Sequence, residues 1–290
     1  MTFTKLHFSK KLTLLIFIFA SVFAYSQNKV GGLALYTVRD AMGQDAKSTL
    51  QTVAVIGYKN IEAAGYKDGK YYNMKPEDFK AYVKELNLTP ISTHQSSVTL
   101  DNATTHMADA KAAGFEYFVV PIPPMGHFKF NAETMEMGMN CSAKELANIL
   151  DKLGEEAHKA GLKLLYHNHD FEFKKDADGI VVIDYLLENC NPKYVNFQMD
   201  LFWVTRAGAD PVAYFKKYPG RFKIWHVKDM NEKGMFAPVG TGTIDFARIL
   251  AKKELSGMKY YMVEQDMTFD LDPLEAIKIS HAGIKKYGFK

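Results

Sequence analysis

Eight short apolar, β-branched runs recur along this chain, most of them ending in polar residues before an amphipathic stretch begins. They cover residues 30–36, 59–63, 89–93, 117–120, 162–166, 195–199, 222–225 and 259–263. Strands this short, separated by helical patterns instead of hairpin turns, predict a parallel sheet built from crossover units. The intervening patterns are explicit. Residues 143–160 place Leu146, Ile149, Leu150, Leu153 and Ala157 on one face. Ser142 and Glu145 have capping-box spacing at that helix start. Asp272 and Pro273 supply an N-cap and a first-turn proline for the last helix. Gly114, Gly161, Gly220 and Gly257 follow helical stretches, where a left-handed cap is wanted. Eight such units in one domain-sized chain predict an α/β fold, a single (β/α)8 TIM barrel. A doubly wound open sheet would use fewer strands, and no GxGxxG follows the first run.

The N-terminal segment reads differently. Lys5, Lys10 and Lys11 precede an apolar run over residues 12–24, and Ala24-Tyr25-Ser26 sets small residues at the two positions a signal peptidase reads. This predicts a cleaved signal peptide over residues 1–26, a barrel domain over residues 27–290, and a periplasmic or secreted location. The run is shorter than the roughly 20 residues of a membrane span, so no stable membrane insertion is expected. Cleavage removes three lysines and no acid, taking the formal charge from +3 to zero. A neutral chain argues against a nucleic-acid partner, which needs a basic footprint. Cys141 and Cys190 are the only cysteines, too few for a disulfide framework. A homo-oligomer is left open.

In a TIM barrel the carboxyl ends of the strands carry the active site. Arg39, Glu62, His94, His167, His169, Glu172, Asp200, His226, Lys228 and Glu264 fall there. The densest stretch is KLLYHNHDFEF at residues 163–173. Asp200, His226 and Glu264 close three successive strands, and mixed oxygen and imidazole donors suit Mn2+, Co2+, Zn2+ or Fe2+ better than Ca2+. Singly, such an aspartate is more often a helix cap; three on consecutive strand ends predict one bound divalent cation. His167 and His169 share a face if the strand continues through both, and a neutral imidazole is a serviceable base. Lys228, two residues after His226, is a candidate for binding a substrate oxygen, for stabilising an enolate or, equally, for a surface salt bridge. Arg39 is expected to bind a carboxylate or phosphate or to pair with the neighbours of Asp40, His94 to bond a hydroxyl, and Glu62 to line the pocket or serve as a barrel-top ion-pair partner. Trp203 is expected to fill the barrel top.

Taken together, YHNHDFEF, QMDLFWV (198–204), WHVKD (225–229), GTGTIDF (240–246) and YYMVEQD (260–266) resemble the xylose-isomerase-like barrel superfamily, which includes sugar phosphate isomerases/epimerases, D-tagatose 3-epimerases, inosose dehydratases and endonuclease IV. The resemblance covers nearly all of residues 27–290. It implies a metal held by Glu, Asp, His and Glu from strands five to eight. The last three fall on Asp200, His226 and Glu264. The strand-five position holds His167, with Glu172 five residues later. His167 replaces the carboxylate, or Glu172 swings in, or three protein ligands share the metal with water; Glu172 is the preferred fourth ligand. A histidine that the epimerases place three residues after the aspartate is Trp203 here, and the resemblance implies that its indole stacks on a sugar ring or fills the barrel top. The resemblance implies an isomerase or epimerase moving a proton beside a carbonyl of a small carbohydrate, and export favours an unphosphorylated one. Glu264, His167, His169 and Lys228 are the candidate catalytic groups. A lyase or hydratase of 3-keto-sugars or 3-keto-glycosides is the alternative, followed by a non-catalytic sugar-binding barrel. Nuclease chemistry is disfavoured by the neutral charge and the leader.

Overall fold

The computed structural model describes residues 31–134, 136–176 and 178–289. The predicted leader and Val30 lie outside them. Eight parallel strands close a barrel: β1 (Gly31–Ala34), β2 (Asn60–Ala63), β3 (Thr89–His94), β4 (Tyr117–Val120), β5 (Lys163–His167), β6 (Val195–Asp200), β7 (Phe222–Val227) and β8 (Tyr260–Val263). Each pairs with its neighbour in the chain, and β8 closes on β1 through Gly31↔Tyr261 and Leu33↔Val263. The helices between and after them are α1 (Arg39–Ile56), α2 (Pro76–Glu85), α3 (Ala103–Ala112), α4 (Ala143–Lys159), α5 (Val182–Asn189), α6 (Leu201–Arg206), α7 (Pro211–Lys217), α8 (Phe246–Leu250), α9 (Lys253–Ser256) and α10 (Pro273–Lys286). None of them is long and apolar enough to cross a membrane.

Two apolar layers follow from the period of two along each strand. Outward side chains such as Phe118, Leu164, Tyr166, Phe197, Met199 and Trp225 join the helices in the main core. Helix α4 contributes Leu146, Ile149, Leu150, Leu153 and Ala157, and its Ser142 Oγ accepts the Glu145 amide as capping requires. A smaller set, Ala34, Ile91, Tyr117, Val119, Leu165, Ile224 and Met262, packs inside the barrel as a plug.

The strands differ from the apolar runs in one systematic way. β3, β5 and β6 run one residue further than the runs do, and β7 two. The added residues, His94, His167, Asp200 and His226-Val227, are mostly polar. A run of apolar residues therefore ends before the strand does, because the barrel mouth admits polar side chains without ending the ladder. The first strand is the opposite case. It stops at Ala34, and Leu35–Val38 form a 3-10 turn into α1.

Beyond β7 the buried Asp229 accepts the backbone N–H groups of Met230, Gly240, Gly242 and Ile244 at 2.9–3.2 Å. One carboxylate thus pins the segment 240–244 against the barrel. A Cβ on Gly242 would collide with the Asp229 carboxylate, which accounts for the glycine there.

Candidate metal centre

Strand periodicity sends alternate residues to the barrel axis. On β5 these are Leu165 and His167; on β6, Gln198 and Asp200; on β7, Ile224 and His226, with Lys228 beyond; on β8, Met262, with Glu264 and Asp266 beyond. Immediately over the plug, Gln198 meets Glu62 and His94. One level further out, His167, Asp200, His226 and Glu264 converge. His226 Nδ1 lies 2.8 Å from Glu264 Oε2 and 3.9 Å from Asp200 Oδ2. His167 Nε2 lies 3.8 Å from the same Asp200 oxygen. Asp200, His226 and Glu264 each bring a ligand atom within 4.8 Å of the others, and all three are buried.

Asp200 divides its two oxygens between two tasks. Oδ1 caps α6 by accepting the Phe202 and Trp203 amides at 2.9 and 3.0 Å. Oδ2 is buried and turns into the cluster. The Lys228 ammonium stands 2.9 Å from it and forms an ion pair with it. Burial raises the Asp200 pKa against the pull of Lys228 and His226.

The charges around this oxygen do not balance. Glu62, Asp200, Glu264 and the more exposed Asp266 surround two cations, Lys228 and His226. Lys228 Nζ lies 2.6 Å from Glu264 Oε2 and 2.7 Å from Asp266 Oδ2. Burial would lower its pKa, but Asp200, Asp266 and Glu264 hold it well above the usual lysine value. Burial would likewise lower His226, yet Glu264 and Glu62 push it up to about 10. Glu264 is held well below the carboxylate range, its burial outweighed by Lys228 and His226. Burial lifts Asp266 to about 6 despite Lys228. Burial, reinforced by nearby cations, keeps His167 and His169 neutral, His169 falling to about 3. Excess buried negative charge, a buried Asp200 oxygen facing the cluster and a neutral imidazole beside it form a donor set that fits a divalent cation.

Not every expected residue joins this cluster. Glu172, the preferred fourth ligand, is turned away by the 3-10 turn Phe171–Phe173. Its Oε1 accepts from Tyr166 Oη at 2.7 Å and its Oε2 from the His169 amide at 2.8 Å. Tyr166 points outward from β5, and Glu172 goes with it, tying the loop to the strand. His167, at the strand end itself, takes the place beside Asp200. Burial raises the Glu172 pKa to about 8, against the donors it accepts from. A raised carboxyl pKa favours folding most below the unfolded value near 4.5 and loses that contribution as pH rises through about 8. Glu172→Gln should therefore retain bound metal and flatten the fall in stability between pH 5 and pH 8.5, read by chemical denaturation. Loss of metal in this variant would return Glu172 to the ligand set.

His169 does not reach the mouth by strand periodicity, because β5 ends at His167. The following turn brings its ring 4.9 Å from that of His167 and 5.4 Å from Trp203, with a buried Nδ1 that lacks a partner. Trp203 is buried against Phe236, and its Nε1 also lacks a partner. Arg39 is exposed and lies 4.4 Å from the Tyr36 ring centre. Burial raises the Tyr36 pKa, and Asp266 and Glu264 add to it, so this pair borders the mouth. Glu62 takes the ion-pair role, bonding His94 and His226, and both Glu62 and His94 bond Gln198 beneath the cluster. Gln198, Ser92 and Asp266 were not anticipated. Gln198 and Asp266 stand two residues from Asp200 and Glu264 respectively, which is the signal for a shared face. Cys141 and Cys190 are both free and buried. A cavity of about 640 Å³ lies at the other end of the barrel, among Lys163, Lys223 and Lys259 at the strand starts, away from this chemistry.

An eight-stranded parallel barrel with buried acids and imidazoles at its carboxyl ends defines an enzyme-type TIM barrel. Residues 50–280 match the xylose isomerase-like TIM barrel family, and the chain belongs to it. An inosose dehydratase of Clostridium botulinum (strain Alaska E43 / Type E3) is 32% identical over 175 residues, 53% of this chain and 55% of that protein. The chain thus spans about half the length of the curated relatives it matches first. A crystal structure of a sugar phosphate isomerase/epimerase from Parabacteroides distasonis ATCC 8503 superposes with a TM-score of 0.74 at 24% identity, covering 92% of this chain and 97% of the other. The IOLI protein, solved with a binding zinc atom, superposes with a TM-score of 0.65 at 16% identity over 89% and 97% of the two chains.

Proposed function

We propose that this chain is a divalent-metal-dependent enzyme that withdraws a proton beside a carbonyl of an unphosphorylated carbohydrate. The observation that carries the reading is the convergence of His167 Nε2, Asp200 Oδ2, His226 Nδ1 and Glu264 Oε2, all on buried residues, from four successive strand ends. When bound there, a divalent cation supplies Lewis-acid polarisation of a substrate carbonyl. Its identity within Mn2+, Co2+, Zn2+ or Fe2+ is left to the experiment below.

The chain's own groups divide the remaining work. Lys228 is a held ammonium and donates to the oxygen on which negative charge develops. His169 turns an unpartnered Nδ1 beside the Trp203 ring and accepts the carbon-bound proton. Trp203 offers an apolar ring face with an N–H at its edge, the pairing that sugars favour. Arg39 and Tyr36 border the entrance.

Elimination is the reaction this arrangement suits first, on a 3-keto-sugar or 3-keto-glycoside. A two-base epimerisation draws on a strand-five carboxylate, and here that place is His167, whose Nδ1 is already bonded to Gln198. The inosose dehydratase relatives support the same choice. Isomerisation or epimerisation of a ketose is the second reading, because Glu264 and His169 follow different strands, β8 and β5, and offer two acceptors. Deuterium incorporation from D2O into carbon-bound positions, followed by NMR with Mn2+ or Zn2+ present, tests both. Free ketoses, aldoses and 3-keto-sugars form the panel. Metal-dependent exchange is expected for at least one keto-sugar, with an enone product marking elimination and an epimer marking the second reading. Absence of exchange across the panel contradicts the proposal.

A further inference from the structure

The hydrogen bonds beneath the cluster determine which nitrogen of each histidine carries hydrogen. A carboxylate only accepts. Glu62 Oε2 accepts from Ser92 Oγ at 2.7 Å and from Gln198 Nε2 at 2.6 Å. The Gln198 amide is thereby oriented, with its NH2 on Glu62 and its Oε1 toward two imidazoles. That oxygen lies 2.9 Å from His167 Nδ1 and 2.8 Å from His94 Nε2. An amide oxygen cannot donate, so both of those ring nitrogens carry hydrogen. Glu62 Oε1 lies 2.6 Å from His226 Nε2 and 3.0 Å from His94 Nε2, which places hydrogen on His226 Nε2 as well.

The two converging histidines are therefore held in opposite senses. His167 carries hydrogen on Nδ1 and turns Nε2 to Asp200, 3.8 Å away; His226 carries hydrogen on Nε2 toward Glu62, while its Nδ1 faces Asp200 and Glu264, 3.9 and 2.8 Å away, where the Glu264 carboxylate holds a second hydrogen in the metal-free protein. We propose that Glu62 and Gln198 are positioning residues that keep hydrogen on Nε2 of His226 and on Nδ1 of His167, so that the opposite nitrogen of each ring faces one cation site. His94 completes the layer, its Nε2–H shared between Gln198 and Glu62 and its ring stacked on His226 at 5.2 Å. The inference rests on the metal-centre reading above. It assigns Glu62 and His94 a place under the metal instead of against substrate, and it brings in Gln198. Partners of this kind fix ligand orientation, and their loss typically weakens metal binding about 10–100-fold.

Long-range proton–nitrogen correlation spectra of histidine-labelled protein test it, metal-free and loaded with Zn2+, with Zn2+ affinity measured by chelator competition. The parent should show His167 with hydrogen on Nδ1 in both states, and His226 with hydrogen on Nε2 when loaded. Gln198→Leu should let the His167 tautomers mix and weaken Zn2+ binding about 10–100-fold, while His226 keeps its Nε2–H. Glu62→Gln should disturb His226 in addition. The parent spectrum alone overturns the proposal if His167 carries hydrogen on Nε2, whatever the variants do. Parent-like affinity and tautomers in folded Gln198→Leu also overturn it. If the parent takes up no Zn2+, the metal-centre reading fails, and with it the ligand-aiming role; the metal-free His167 spectrum then still decides the tautomer assignment.

Discussion

Asp200→Asn is expected to abolish stoichiometric metal binding while leaving the barrel folded. The two carboxylate oxygens of Asp200 have separable roles. Oδ1 caps α6 through Phe202 and Trp203, and an asparagine oxygen serves equally well there. The stability change should stay within about 1 kcal/mol, read from thermal melts. Oδ2, the buried oxygen that faces the cluster, becomes a neutral NH2 that cannot accept from or ligate a cation. Lys228 keeps Glu264 and Asp266 as counter-charges, so no ammonium is stranded. The loss of affinity should exceed the roughly 10–100-fold typical of an outer-shell partner. Elemental analysis after dialysis checks it, and one retained metal per chain in Asp200→Asn would place the site elsewhere.

His169→Gln should cut metal-dependent proton exchange by about 10²–10⁴-fold with metal content unchanged. The substitution removes the imidazole beside Trp203 but spares the bond to Glu172, which is made by the His169 backbone amide. The loop is thus expected to hold its shape. His167→Gln provides the contrast, since it should lose metal and exchange together. If His169→Gln exchanges at the parent rate, the histidine fills the barrel mouth and another group takes the proton.

The fold was legible because barrel strands are apolar on both faces over most of their length, and eight such runs separated by amphipathic helices admit few topologies. Asp200, His226 and Glu264 were legible for the same reason: each is the first strong ligand after an apolar run. What failed was depth. Ending each strand at its last apolar residue hid the fact that His167 and His226 are strand residues with fixed directions. Counting back by two from Asp200 reaches Gln198, and forward by two from Glu264 reaches Asp266, but neither stands out as a metal ligand in a linear reading. Glu172 misled for another reason. Its type and spacing suit a ligand, while the turn that carries it back to Tyr166 depends on three-dimensional packing. The motif WHVKD likewise mixes roles: His226 and Lys228 face the site, whereas Asp229 holds backbone amides of the following loop.

Anomalous X-ray scattering from crystals loaded with Zn2+ or Mn2+ tests the central claim most directly. One peak is expected at about 2.0–2.2 Å from His167 Nε2, Asp200 Oδ2, His226 Nδ1 and Glu264 Oε2, with Glu172 still bonded to Tyr166. No peak at the strand ends, or a peak that draws Glu172 into bonding distance and leaves His167 out, would contradict the account.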